Sequence, residues 1–327
     1  MQSSRSPRAI AVVCGAIVAV CSLANSQDLS ALNHYSVVTR GDFSTNSDVE
    51  GRTLVGGNLF GQNSSNFAIK LQQQVDASDS TLIVTGDVKS GNPINLNAGS
   101  LELGGSLERK VNYNGGGKLI QNSGLDYSEV ISELAKASDT LASLNDNSDV
   151  YAPVSQPGPF NFKAAPDENG LAIFEIRGSD FFGNRLVQQA DLFLNGATDV
   201  LINVSGESID WQYGNMVGNF TKSDVRSRVV WNFYEATSIN FDSKNMMGQV
   251  LAPHAKVTAR GNLDGSIFAD SFTTTSEVHL PGYAGVFDEG GAGSNGGTDP
   301  VIVVPEPSSL LLVAASALLL ARRRRTH

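Results

Sequence analysis

The chain has 327 residues, a formal net charge of -10 and two cysteines, Cys14 and Cys21, both within the first 26 positions. Arginines crowd the two ends, so the body between them is more acidic than the total, which excludes binding by phosphate neutralisation, nucleic acid above all. A body without cysteine has no disulfide, no thiolate metal site and no cysteine nucleophile.

Residues 1–26 read as a secretory signal peptide. Arg5 and Arg8 precede an apolar run from Ala9 to Leu23, too short to span a bilayer comfortably, and Ala24-Asn25-Ser26 offers small residues at which a signal peptidase cuts before Gln27. The partners implied are the Sec translocon and signal peptidase. Val13 and Val20 stand before the two cysteines where a lipoprotein site needs a small residue, which argues against lipidation.

Residues 27–287 form the β-rich body. Short runs of Val, Leu and Ile are broken by glycine, the pattern of brief strands and tight turns. Gly57-Asn58-Leu59, Gly86-Asp87-Val88, Gly105-Ser106-Leu107 and Gly261-Asn262-Leu263 repeat a glycine, small polar, aliphatic unit, and Gly248 to Ala252 is echoed by Gly265 to Ala269, 17 residues on. Such spacings fit the coils of a β-solenoid, each stacked on the last; a β-sandwich is the alternative. One segment differs: over 126–145, Tyr127, Val130, Ile131, Leu134, Leu141 and Leu144 share a helical face. Glu129, Glu133, Lys136 and Asp139 lie elsewhere. Asp126 with Glu129 suggests a capping box, and Asn145-Asp146-Asn147 a stop. The expected fold is mainly β, a β-helix-like solenoid with this one helix along its flank.

Residues 288–303 form a glycine-rich linker, almost without apolar side chains from Asp288 to Pro300, a flexible tether. Gly291-Ala292-Gly293-Ser294-Asn295-Gly296 matches G-x-G-x-x-G but has no strand before it or helix after it, so it binds no nucleotide. In residues 304–327, Val304, Pro305, Glu306 and Pro307 precede an apolar run from Leu310 to Ala321 and then Arg322, Arg323, Arg324 and Arg325. As a helix, the stretch from Ser308 to Ala321 reaches about 21 Å against a hydrocarbon core of about 30 Å, so it holds a membrane weakly. The order of these parts resembles the PEP-CTERM sorting signal of Gram-negative bacteria. The resemblance implies a transient inner-membrane stop, cleaved by an exosortase; a plain membrane anchor is the alternative.

The body resembles the choice-of-anchor A domain. Gly41-Asp42-Phe43 and Ser47 to Arg52, running into Val55-Gly56-Gly57-Asn58, look like its opening motif. Val230-Trp231-Asn232-Phe233, Val250 to Ala255, Gly261 to Gly265 and Glu277-Val278-His279 look like its closing block. The resemblance implies a surface location and an adhesive role, and no catalytic residues. Trp231-Asn232-Phe233 and Leu251-Ala252-Pro253 are expected to be core rather than a ligand surface.

No enzyme is assembled in the sequence. There is no G-x-S-x-G; His34, His254 and His279 are far apart with no H-E-x-x-H; and Lys118 follows glycines but precedes Leu119 rather than a hydroxyl residue. No catalytic, cofactor-binding or metal-binding residue is assigned; a structural calcium ion is compatible with the acids, but no motif indicates one. The rival is a calcium-dependent, polysaccharide-active β-helix enzyme, for which Asp76 with Asp79 or Asp146 with Asp149 are candidate acids. An ice-binding solenoid needs a long regular threonine array, and Thr273 to Thr275 falls short of one. The expectation is an exported, non-catalytic protein of the cell surface or extracellular matrix, adhesive or structural, with extracellular polysaccharide or other surface proteins as partners.

Overall fold

The computed structural model describes residues 29–285; the expected signal segment, tether and sorting tail lie outside them. The first coil runs as Tyr35–Thr39, turns into Phe43–Thr45, and turns again to Val49. The second repeats the path as Arg52–Val55, Leu59–Phe60 and Ser65–Phe67. These three successive flats are faces A, B and C. Strand pairing from coil to coil is parallel, as in Val37 with Thr53 and Ser65 with Ile94, and Asp149–Tyr151 on Gly158–Lys163 is the antiparallel exception. The body is therefore a β-solenoid and not a sandwich, whose sheets are built from antiparallel neighbours.

Stacking order departs from chain order. On face A the ladder runs Leu119–Gln121, Ser100–Leu103, Ser80–Val84, Arg52–Val55 and Tyr35–Thr39, and its next member is Ile267–Thr274. It then continues through Gln249–Ala259, Val229–Asn232, Asp199–Ser205 and Leu171–Arg177. The chain thus begins mid-stack, builds outward to Gln121, crosses to the far end, and builds back until its last coil meets its first. That seam is held on all three faces, by Val37 with Ile267, Phe43 with Phe272, and Val49 with Val278. The expectation that each coil stacks on the previous one holds within each half and fails at the seam. There too the chain enters and leaves: the Leu32 carbonyl accepts the Tyr283 N–H at 3.1 Å and the Ser266 hydroxyl at 2.5 Å.

The crossing explains the helix. Ten strands at about 4.8 Å spacing put Gln121 and Leu171 some 43 Å apart along the stack. Helix α1 (Ser30–His34) is a short lead-in, whereas helix α2 (Ser128–Ala142), 15 residues and about 22 Å long, spans half of that return. It is shorter than 126–145 at both ends. The Asp126 carboxylate accepts the Ser128 N–H at 2.8 Å, so the acid serves a turn just ahead of the helix and no capping box forms. At the other end Ser143 and Leu144 donate back to Thr140 and Leu141, and Asn147 is spent bracing Leu171 and Ile173.

Face A is apolar on both sides, as its unbroken Val, Leu and Ile runs require. Val37, Leu82 and Leu101 point into the coil, while Val38, Leu54, Leu251 and Phe268 point outward into a second core. Leu134, Ala137 and Leu141, at i, i+3 and i+7, close that second core over Gln249–Ala259, Val229–Asn232 and Asp199–Ser205. Ser138 lies on the same side: its hydroxyl donates to Asn232 Oδ1 at 2.6 Å, Asn232 Nδ2 donates to Asn203 Oδ1 at 2.9 Å, and Asn203 Nδ2 donates to the Leu141 carbonyl at 2.9 Å. A buried polar chain satisfied this fully fixes the register of α2 along the coils.

The glycine repeat marks the corner between faces A and B. Gly57 N–H donates to Gly41 O, Gly86 N–H to Gly57 O, and Gly105 N–H to Gly86 O, each at 2.9 Å. The next residue supplies a side-chain ladder: Asp42 Oδ1 accepts Asn58 N–H, Asn58 Oδ1 accepts Asp87 N–H, and Asp87 Oδ1 accepts Ser106 N–H, at 2.7–2.9 Å. The fourth expected member, Gly261-Asn262-Leu263, does not belong to this corner; it turns the chain from face B to face C. The other echo is a true stacking pair, with Val250 beside Ile267 and Ala252 beside Ala269.

Candidate binding faces

Face A is covered by the two helices and Tyr283, so exposed chemistry is left to faces B and C. On face B, Ile239, Val257, Phe272, Phe43 and Leu59 point inward in one ladder, and the side chains flanking them point out because strand residues alternate. One outward row reads Ser208, Ser238, Lys256, Ser271. The other reads Asp210, Asn240, Thr258, Thr273, Ser44, Phe60. Only Thr258 and Thr273 are adjacent threonines; Thr274 points inward and is buried. No regular threonine array forms on this face.

Face C carries a row the sequence reading did not single out. Asn245, Asn262, Glu277, Asp48, Asn66, Asn95 and Asn112 each precede an inward apolar residue and fall in line across seven coils. Their oxygens bind from coil to coil: Asn245 Oδ1 accepts Asn262 N–H at 3.0 Å, Asp48 Oδ1 accepts Asn66 N–H at 3.0 Å, and Asn95 Oδ1 accepts Asn112 Nδ2 at 2.9 Å. The signal was an Asn or acid directly before an apolar residue, recurring once per coil.

Beside that row, His279 bridges two coils. Its Nδ1 lies 3.0 Å from Asp264 Oδ1 and its Nε2 2.7 Å from Glu277 Oε2, with Arg226 3.5 Å from the same Asp264 oxygen. Carboxylates only accept, so both ring nitrogens are satisfied when both carry protons. Burial opposes the charge, but Glu277, Asp264 and, more distantly, Glu50 outweigh it and hold the imidazole pKa above its ordinary value. The stabilisation is therefore complete below the unfolded-state pKa of about 6.5 and is lost as pH rises through the higher folded-state value. Melting temperature measured from pH 5.5 to 9 is expected to fall across that window, and His279→Ala to flatten the fall; equal slopes in both proteins would contradict the bridge.

The remaining sequence candidates do not converge. Trp231, Phe233, Leu251 and Ala252 are fully buried, with Trp231 stacked on Phe181 at 6.0 Å, so the closing-block residues are core, as expected. His254 is exposed beside face B, and His34 sits edge-on to Tyr35. Asp79 accepts the Asp76 N–H at 2.9 Å, and Asp146 and Asp149 lie exposed ahead of and within the antiparallel strand. Among the described residues no group of three or more His, Cys, Asp or Glu is placed to hold a metal ion, and no helix is long and apolar enough to cross a membrane. The processing residues Ala24, Ser26, Gln27, Val304 to Pro307 and Arg322 to Arg325 lie outside the described residues.

Two family models match. Residues 28–280 match an ice-binding-like adhesive domain, and residues 303–325 match the PEP-CTERM protein-sorting motif. Among curated proteins none matches the chain. Among solved structures, an ice-binding protein from the Antarctic ascomycete Antarctomyces psychrotrophicus is similar at 12% identity over 79% of this chain and 99% of that one, with a TM-score of 0.31. The DUF3494 domain of Shewanella frigidimarina ice-binding protein 1 is similar at 11% identity over 80% of this chain and 98% of that one, with a TM-score of 0.29. Likeness this faint adds nothing to an architecture that the strand ladders establish themselves.

Proposed function

Since the chain belongs to the ice-binding-like adhesive domain family and ends in a PEP-CTERM sorting motif, we propose that it is an exported, non-catalytic adhesin of the cell surface or extracellular matrix. One observation carries the reading: a match to an adhesive domain over residues 28–280 is followed on the same chain by a match to a sorting motif over 303–325. In this reading residues 1–26 direct export through the Sec translocon, and signal peptidase cuts before Gln27. The 288–303 tether separates the body from the tail, the short apolar run holds the inner membrane transiently, and an exosortase acts at Val304 to Pro307. The choice-of-anchor A resemblance fits the same role. Faces B and C, long and regular, suit many weak contacts with extracellular polysaccharide or with other surface proteins, and display of many copies multiplies their strength. The broken threonine row argues against ice as the ligand.

Intact-mass measurement of protein recovered from the producing cells tests the processing. The expected chain begins near Gln27 and ends near Pro305; a mass that retains Arg322 to Arg325 would leave a plain membrane anchor. Incubation with extracellular polysaccharide, with and without calcium, tests the adhesive role. Retention without new reducing or unsaturated ends is expected, and calcium-dependent cleavage would favour the enzymatic rival instead.

A further inference from the structure

A groove of about 470 Å³ crosses the seam on face B. The first two coils contribute Asp42, Ser44 and Phe60; the last two contribute Lys256, Asp270 and Thr273. Residues more than 200 positions apart in the chain meet here only because the last coil stacks on the first. Thr273, Ser44 and Phe60 are ladder neighbours, so two hydroxyls and one aromatic ring project side by side at about 4.8 Å intervals. Beneath them the Phe43 and Phe272 rings stack at 5.4 Å, nearly parallel, and stiffen the floor.

The polar groups are poised rather than spent. The side chains of Ser44, Thr273 and Lys256 have no hydrogen-bond or ion-pair partner among the described residues. Asp42 uses one oxygen on Asn58, and Asp270 is only loosely paired with Arg40, at 3.9 Å. Hydroxyls donate and accept, carboxylates accept, the ammonium donates, and the ring offers an apolar face. That set matches the alternating hydroxyl edges and C–H faces of a pyranose. Asp42 and Asp270 against Lys256 leave the groove no excess of cations, Arg40 standing outside its lining, and the acidic body around it repels polyanions.

We propose that this groove binds a segment of a neutral, pyranose-based polysaccharide, with Phe60 under a sugar face and Asp42, Asp270 and Lys256 on its hydroxyls. The inference rests on the adhesive reading and gives it a site and a ligand class. The groove is shallow and open along the face, so it takes internal segments of a polymer and needs no chain end.

The test is retention of the mature exported protein on cellulose and on cross-linked dextran, with alginate gel as the acidic comparison. Phe60→Ala removes the ring, and Ser44→Arg fills the groove from a half-buried position on its floor; melting temperature confirms that each variant is folded. Retention on a neutral polymer that falls at least tenfold in both folded variants is the expected result. Undiminished retention in either folded variant would overturn the groove and leave the adhesive reading standing. Retention on alginate alone would overturn the neutral ligand, and retention on none of the three would overturn the groove and the polysaccharide reading together.

Discussion

Leu134→Asp is expected to cost about 4 kcal/mol, a large share of the roughly 5–15 kcal/mol that holds an ordinary domain. Leu134 is fully buried between α2 and the outer side of face A, where it meets the second core of Val38, Leu54, Leu251 and Phe268. A carboxylate there loses the leucine's apolar burial and meets no cationic side chain, while the nearby Ser138, Asn232 and Asn203 are already spent on one another. The damage also reaches the later-built half-stack, because α2 packs on Gln249–Ala259, Val229–Asn232 and Asp199–Ser205. Urea unfolding followed by circular dichroism reads the effect, with exposed Glu133→Ala within about 0.5 kcal/mol of the parent as control. A midpoint unchanged by Leu134→Asp would mean that α2 is dispensable packing.

Gly86→Val is expected to cost about 3 kcal/mol through overpacking that no rotamer relieves. A Cβ at Gly86 would stand 2.7 Å from both the Gly57 carbonyl oxygen and Asn58 Oδ1, and Gly57 is backbone of the coil below. Relief requires prising two coils apart and breaking the Gly86 to Gly57 hydrogen bond, with Gly105 stacked on the other side. Gly124→Ala is the matched control, since its nearest neighbour would be Asn122 Oδ1 at 3.6 Å. Thermal unfolding of the two variants should separate them by several degrees or more; equal melting points would show that the corner yields.

These two sites also mark what the sequence could and could not disclose. The glycine, small polar, aliphatic unit is a local consequence of one corner geometry, so it was visible wherever that corner recurred. The same three-residue unit at Gly261 serves a different corner, because glycine answers any close backbone approach and does not say which one. Helix α2 was legible from Leu134 and Leu141, but Ala137 and Ser138 were not. Ser138 is held by Asn232 and Ala137 packs in the second core, against residues that no periodicity connects to the helix. Nothing local announces the seam: Val37 beside Ile267 is a pairing across the whole body, and the sequence on either side reads as ordinary strand. The groove on face B was hidden for the same reason, since Ser44 and Phe60 acquire Lys256 and Thr273 as neighbours only once the first and last coils of the body have met.

The position of the chain's exit has a mechanical consequence. From its bond to Leu32 at the seam, Tyr283 carries the chain over the later coils, where the Ala284 N–H donates to the Ser227 carbonyl at 2.8 Å and Gly285 lies beside Asp199. Tension applied beyond Gly285 therefore loads the half-stack that ends at Leu171. Between that point and a ligand gripped on face B at the seam stand the coils of Val229–Asn232 and Gln249–Ala259, and the load crosses their hydrogen bonds. The coils toward Gln121 hang outside this path as an unstressed arm, and damage at that tip leaves the hold intact.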